Sequence, residues 1–371
     1  MDLKSSLNIQ KLISDLKDKF NLGPKDLIGV DIGQSAVKMA IVKKSGESNY
    51  KLLNYVSTSL PEACIIEDEI QKEDEIIKAI EEGLKVLKTD RLIGCIGICG
   101  PNTIARKLQL AGGSLDEIED QVSWEAEQYL PFPIEDSTLS FHVFGENEGG
   151  GVDVLVAAAK NDVIERFKLL VEKAKLRVKI VDLNIIAAAN VFEFVLADKI
   201  EAEPGTWVLL DMGAQKTQLT LHRKNAIAFT KEINIGGAMI TEEIQRQMGV
   251  NYQEAEILKT QGDAKGNLPE EVLVIVNEVK ENFFQELKKT IDFYVTSSSD
   301  DNFKGCVITG GNSLIPGIAE GLESLLGIPV SVLNPFEKID YEKKLFSDEE
   351  INKVAFTGVV AIGLAMRELK K

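Results

Sequence analysis

The sequence predicts an α/β fold built from two related halves, and three observations carry that expectation. The first is an internal repeat: Ile28-Gly29-Val30-Asp31-Ile32-Gly33 turns into a second apolar run, and Val208-Leu209-Leu210-Asp211-Met212-Gly213 does the same 180 residues later (211 − 31). The second is the alternation of short apolar runs with amphipathic stretches, the pattern of a sheet covered by helices. The third is size: 371 residues, 44% of them hydrophobic and 27% charged, suffice for more than one core.

The elements follow in order. Residues 1–25 read as an amphipathic extension, with Ile9, Leu12, Ile13, Leu16 and Phe20 at helical spacing among mixed charges until Gly23-Pro24 ends it. Its stripe could pack on the body or a sister subunit, or anchor the chain to a lipid or protein partner; the mixed charges weaken the lipid reading. Residues 26–101 and 160–204 are expected to form the core of a first lobe. Strands run over 27–33, 36–42 and 50–58, an acidic and mostly helical stretch over 68–87, and an apolar strand over 93–99, where alternation puts Cys95 and Cys99 on one side as packing residues. Gly100-Pro101 then breaks the pattern.

Residues 102–159 read as an inserted subdomain containing an acidic helix over 114–129, the turn Leu130-Pro131-Phe132-Pro133 and strands near 139–144 and 152–159. Helix 161–175, strand 178–182 and helix 185–196 resume the first lobe. Residues 205–245 and 303–371 are assigned to the core of a second lobe, separated by a helical subdomain over 246–302.

Composition excludes several functions. Lys and Arg total 42 against 59 Asp and Glu, a net charge of −17 that disfavours a nucleic-acid partner. His142 and His222 are the only histidines, too few for a histidine metal site or a Ser-His-Asp triad. Four cysteines in so long a chain make no disulfide framework, which fits a reducing cytoplasm. No apolar run approaches the ~20 residues of a membrane span, so work at a membrane would depend on docking.

The repeated hairpin carries the chemistry. Glycine lets the turn after each strand bend closely enough for its amides to face a phosphate, and a carboxylate at the strand end can hold Mg²⁺ through water. One Asp-x-Gly turn is commonplace; two copies could grip one polyphosphate from both sides. Lys38 could add a cation or be a solvated surface lysine. A third piece, Cys306-Val307-Ile308-Thr309-Gly310-Gly311-Asn312-Ser313, reads as a strand, two glycines that admit a ring or ribose, and a helix start capped by Asn312 or Ser313.

In this order, the pieces resemble the actin, Hsp70 and sugar-kinase superfamily over about residues 27–368. Within it the chain is most similar to the PilM family of type IV pilus assembly, through Glu125-Ala126-Glu127-Gln128-Tyr129-Leu130-Pro131-Phe132-Pro133, Val181-Asp182, Asn334-Pro335-Phe336 and Val360-Ala361-Ile362-Gly363-Leu364-Ala365-Met366-Arg367. The resemblance implies an actin-like bilobed ATPase fold of two RNase H-like halves, with the inserted subdomain of the FtsA and PilM type. Carried over by position, it implies that Asp31 and Asp211 face Mg²⁺ and that Gly33, Gln34, Ser35, Lys38, Gly213 and Thr217 surround the phosphates of ATP. Gly310, Gly311 and Asn312 would meet the adenosine. Glu256 and Lys259 would lie by the nucleoside, or form a plain helical ion pair.

Hydrolysis needs a group that orients water. Filament-forming relatives use a Glu or Gln at the start of the connecting helix, where this chain has Asn184, with Asp182 as a possible substitute or a helix cap. The resemblance therefore implies at most slow ATPase activity. It also implies a cytoplasmic adaptor, peripheral at the inner membrane, that binds the N-terminal cytoplasmic peptide of a PilN-like bitopic membrane protein and less directly the assembly motor. The peptide groove would lie between the first lobe and the inserted subdomain; residues 125–132 could line it or form an internal packing turn. The alternatives are a self-associating FtsA-like division filament and a small-molecule kinase of the same superfamily. The C-terminal tail has no appended amphipathic membrane helix of the kind such a filament protein carries, although residues 1–25 could be a relocated anchor.

Overall fold

The computed structural model describes residues 27–45, 49–66, 68–90, 92–147, 149–223, 226–261 and 268–369, so the extension expected over residues 1–25 lies outside the described residues. All five residues of strand β1 (Ile28–Ile32) are buried, as a strand covered on both faces requires. β2 (Ala36–Ser45) returns antiparallel with Lys38 opposite Asp31, and the Gly33 N–H closes the turn on the Ala36 carbonyl at 3.0 Å. β3 (Asn49–Ser59) continues the meander.

The stretch expected to be helical from residue 68 begins instead with a small hairpin, β4 (Ile65–Ile66) and β5 (Glu69–Ile70). Asp68 sits at φ 67°, a left-handed conformation incompatible with a helix, and the helix spans Glu73–Leu87. β6 (Ile93–Ile98) lies parallel to β1. Cys95 faces the core, but Cys99 lies past the end of the strand and does not share its packing.

The insertion is a three-stranded antiparallel sheet, with β7 (Thr103–Leu110), β8 (Ser137–Glu146) and β9 (Val152–Lys160) in the order β7-β9-β8. The helix Leu115–Glu127 covers it, starting at a capping box formed by Ser114 and Glu117. Sequence reading missed β7 because Arg106 and Lys107 interrupt its alternation; Lys107 is neutralised by Asp153 at 2.6 Å on the paired strand.

The helix Asn161–Lys173 leads into β10 (Arg177–Leu183), parallel to β6, and the connecting helix Asn184–Ala202 crosses to the second lobe. There β11 (Thr206–Met212), β12 (Thr217–Arg223) and β13 (Ala226–Ile233) repeat the meander, with Asp211 opposite Gln218 as Asp31 is opposite Lys38. The helices Gly237–Met248, Tyr252–Gln261 and Glu270–Ser298 share a core of Ile240, Ile244, Ala255, Val272 and Ile275, so the helical unit begins at Gly237 and not at 246. β14 (Phe303–Thr309) and β15 (Val330–Val332) complete the second sheet in the order β13-β12-β11-β14-β15.

The end of the chain returns to the first lobe. β16 (Ile339–Tyr341) pairs with β3, completing the order β10-β6-β1-β2-β3-β16, and all seven residues of the helix Val359–Ala365 are buried. That helix joins the connecting helix in a layer between the two sheets, where Cys95 and Ala40 from the first meet Trp207, Leu209 and Val307 from the second. Residues 303–371 therefore do not belong wholly to the second lobe, contrary to the sequence-based assignment. A helix apolar on every side needs cover on every side, and the interlobe layer provides it.

Candidate functional site

The first and second Asp-x-Gly hairpins open on one cleft of about 280 Å³ between the lobes. Asp31 is buried at the end of β1, Asp211 is half-buried at the end of β11, and both line the cleft. Between them lies Lys38, whose Nζ is 3.3 Å from Asp31 Oδ2. Burial works against the Lys38 charge, but Asp31 together with Tyr55 and Asp211 outweighs it and raises the pKa to about 12. Burial pushes the Asp211 carboxyl up to about 6, with Lys38 opposing and Asp31 adding to the rise. Lys38 is thus no solvated surface lysine.

Gly33, Gln34, Ser35 and Gly213 line the same cleft. Thr217 does not: its hydroxyl donates to the Ile235 carbonyl at 2.9 Å, on the far side of β12, so the structure removes it from the phosphate-facing set. Strand alternation is the reason, because Thr217 and Gln218 point to opposite faces and Gln218 takes the cleft side.

Asn184 opens the connecting helix and lines the cleft, packed so tightly on Gly97 that a side chain there would collide with its carboxamide. Asp182 lies elsewhere. Its Oδ1 accepts from the Leu183 N–H at 2.9 Å, its Oδ2 is 3.1 Å from Arg367 Nε, and it neither lines the cleft nor caps the helix. Burial raises its pKa, with Arg367 and the Leu183 amide opposing.

The glycine turn after β14 also reaches the cleft. Gly310, at φ 88°, donates its N–H to the Phe356 carbonyl at 2.9 Å, and a Cβ there would strike the Met212 backbone. A Cβ on Gly311 would meet nothing within 4 Å, so open space lies beside its backbone. No helix starts here, contrary to the sequence reading: a single 3₁₀ turn spans Gly311–Leu314, and the helix Ile318–Leu326 follows. Asn312 is a brace and not a cap, its Nδ2 donating to the Met212 carbonyl at 3.3 Å and to the Gly213 carbonyl. Ser313 Oγ donates to the Gly310 carbonyl.

On the helical unit's side, Lys259 Nζ lies 2.5 Å from Glu256 Oε1, 2.8 Å from Thr241 Oγ1 and 3.1 Å from the Gly237 carbonyl. The ion pair expected from spacing exists, and both partners line the cleft.

Three buried side-chain oxygens without a hydrogen-bond partner belong to cleft-lining residues: Gln34 Oε1, Asn184 Oδ1 and Gln218 Oε1. Orphaned acceptors of this kind call for a donor such as water. Among the described residues no group of three His, Cys, Asp or Glu side chains could hold a metal. The two cleft carboxylates, Asp31 and Asp211, instead fit a Mg²⁺ ion that keeps most of its water and phosphate ligands.

Tyr252, Lys216 and Asp68 also line the cleft, although sequence reasoning does not single them out. Lys216 follows the second Asp-x-Gly turn, which is a signal that could find it; Asp68 is brought in only by the fold of the β4–β5 hairpin. Of residues 125–132, Phe132 is buried as a packing turn requires, whereas Trp124 just before them is 65% exposed and Tyr129 lies under the Arg106 guanidinium, 3.7 Å from its ring centre. No helix among the described residues is long and apolar enough to cross a membrane.

The family model described as type IV pilus assembly protein PilM matches residues 29–369. A solved structure of a PilM-PilN type IV pilus biogenesis complex contains a chain 26% identical to this one at a TM-score of 0.81, with 94% of this chain and 100% of that chain covered. The ethanolamine utilization protein EutJ from Carboxydothermus hydrogenoformans shares the fold at 16% identity and a TM-score of 0.54, covering 95% of this chain and 98% of that one. Cell division protein FtsA from Enterococcus hirae is 23% identical over 243 residues, 56% of this chain and 53% of that protein. The chain spans about half the length of the curated relatives it matches.

Proposed function

Because the chain belongs to the type IV pilus assembly protein PilM family, we propose that it is an ATP-binding, actin-like adaptor that docks the N-terminal cytoplasmic peptide of a PilN-like membrane protein. The observation that carries the nucleotide part is the pair of Asp-x-Gly hairpins facing one cleft with Lys38 between Asp31 and Asp211. Asp31 and Asp211 would hold Mg²⁺ through its waters; Lys38, Gly33, Ser35 and Gly213 would face the phosphates, and the open side of Gly311 would admit the nucleoside. Bound Mg²⁺ supplies charge neutralisation for the polyphosphate.

Turnover is at most slow. Asn184 is the one amide at the start of the connecting helix that faces the cleft, and it cannot take a proton as a carboxylate would. The kinase reading loses its candidate base, since Asp182 lies beside Arg367 outside the cleft. Nucleotide occupancy would set the lobe geometry that the partner peptide senses.

Likeness to a chain of the PilM-PilN complex over its full length supports the partner. Recruitment to the inner-membrane face, and any contact with the assembly motor, would then pass through that partner. The test is calorimetry of Mg-ATP with the wild type and with Asp31→Ala, followed by capture of a peptide copying the PilN-like N-terminus in ATP and in ADP. Loss of nucleotide binding in the variant and nucleotide-dependent capture are expected; failure of the wild type to bind either ligand would overturn the reading. Sedimentation of the protein on ATP without peptide capture would favour the filament suggested by the FtsA relatives.

A further inference from the structure

One cation on the second hairpin is held by carboxylates from both sides of the cleft. Lys216, at the end of the turn that begins at Asp211, pairs with Asp68 of the first lobe's β4–β5 hairpin and lies 2.9 Å from Glu232 Oε2 on β13. The three side chains are 16%, 17% and 26% exposed, low for an ammonium and two carboxylates. The other Glu232 oxygen, Oε1, accepts the N–H of Gly100 at 3.1 Å, where the chain leaves β6 for the inserted subdomain. Gly100 stands at φ 109° against the Asp68 side chain, so a side chain there would be strained and would push Asp68 aside. Nearby, the Thr230 hydroxyl on β13 donates to the Ala105 carbonyl of β7 at 2.8 Å.

We propose that Lys216, Asp68 and Glu232 form an ionic latch that clasps the inserted subdomain's root to the second lobe, and that an anion at the second hairpin loosens it. The contacts run without a break from the cleft to the insertion: the turn carries Lys216, Lys216 binds Glu232, and Glu232 binds the Gly100 amide. A lysine ammonium has three N–H donors, and two of them serve Asp68 and Glu232. The same side chain lines the cleft, so a phosphate there competes with these carboxylates for it. Burial disfavours the Lys216 charge, but the two carboxylates outweigh it and raise its pKa. The network therefore loses its cation by exchange with another anion and not by deprotonation. A mobile insertion root would in turn alter the surface between the insertion and the first lobe.

The coupling rests on the nucleotide reading of the cleft, but the latch does not. Hydrogen exchange of the Gly100 amide reads it directly, in full-length protein without nucleotide. Glu232→Gln and Lys216→Met should each speed exchange at Gly100 at least tenfold while leaving β1 unchanged, and 0.5 M salt should move the wild type only slightly because the network is shielded. Unchanged exchange at Gly100 in both variants would overturn the latch. Mg-ATP should then speed Gly100 exchange in the wild type, whereas Glu232→Gln, in which Lys216 is already freed for phosphate, should bind Mg-ATP more tightly by calorimetry and show no further exchange response. An equal response in that variant would overturn the coupling. A wild type that binds no Mg-ATP would instead overturn the nucleotide reading and the coupling with it, and the exchange measured without nucleotide would decide the latch alone.

Discussion

Lys38 decides how the two strand-end carboxylates can coexist. With Asp31 and Asp211 both facing one cleft, burial, and to a smaller extent repulsion from Asp31, favours a proton on Asp211, and the Lys38 ammonium offsets this only in part, which is why the Asp211 pKa rises to about 6. A divalent cation does the same work more fully, so Asp211→Ala should weaken Mg-nucleotide binding at least tenfold by calorimetry; an unchanged constant would remove Asp211 from the site. A second buried carboxylate is purely structural. Asp300 accepts from Thr206 Oγ1 at 2.5 Å and Tyr294 Oη at 2.9 Å and lies 3.2 Å from Arg223. Burial raises its pKa, but these partners and the Asn302 amide outweigh it, so the folded value lies below the ordinary 3.8. Its contribution to stability is thus present above about pH 4 and lost as pH falls through the folded value. Asp300→Ala strands two buried hydroxyls and should cost about 2–4 kcal/mol in urea unfolding at pH 7, with a smaller loss at pH 3.

At the scale of elements, two glycines separate packing from function. A Cβ on Gly29 would drive into the backbone of the helix Val359–Ala365, at the Ala361 carbonyl and the Ala365 nitrogen. Overpacking of this kind costs about 1–3 kcal/mol or more, so Gly29→Val should lower the melting temperature clearly. Gly311→Ala meets open space and should leave stability within about 0.5 kcal/mol of wild type while weakening nucleotide binding, because the new methyl stands where the nucleoside would approach. Equal loss of stability in both variants would refute the distinction. The β1–β2 and β11–β12 hairpins were legible as sequence because apolar alternation and Asp-x-Gly are local signals. β7 and β4–β5 were not, since one carries charges neutralised across the sheet and the other depends on a left-handed Asp68.

Across the whole molecule the lobes share a middle layer. The connecting helix and the helix Val359–Ala365 bury residues from both sheets in one core, so neither lobe completes its own interior. A chain ending at residue 334 would lose β16 and the helices Asp348–Thr357 and Val359–Ala365, leaving Cys95, Ala40 and Trp207 facing water. Such a truncation should fail to give a cooperative melt by circular dichroism, whereas separate lobes would predict an intact second-lobe transition. The same layer forms part of the cleft wall through Asn184, Val359 and Val360, and the Lys216 network stands at the inserted subdomain's root.

Short stretches of sequence were enough to define the two-half architecture, the insertion and the pair of hairpins, because repeats, alternation and glycine turns are written within local windows. The order of those stretches also pointed to Asp31, Asp211, Lys38 and the Gly310-Gly311 turn as neighbours in space. It took the folded chain to show that Thr217 and Asp182 face away, that Asn312 braces a loop, that the chain's end returns to the first lobe and that Asp68 meets Lys216. Those outcomes depend on which face of a strand is turned inward and on contacts between residues far apart in the chain, neither of which a local pattern encodes.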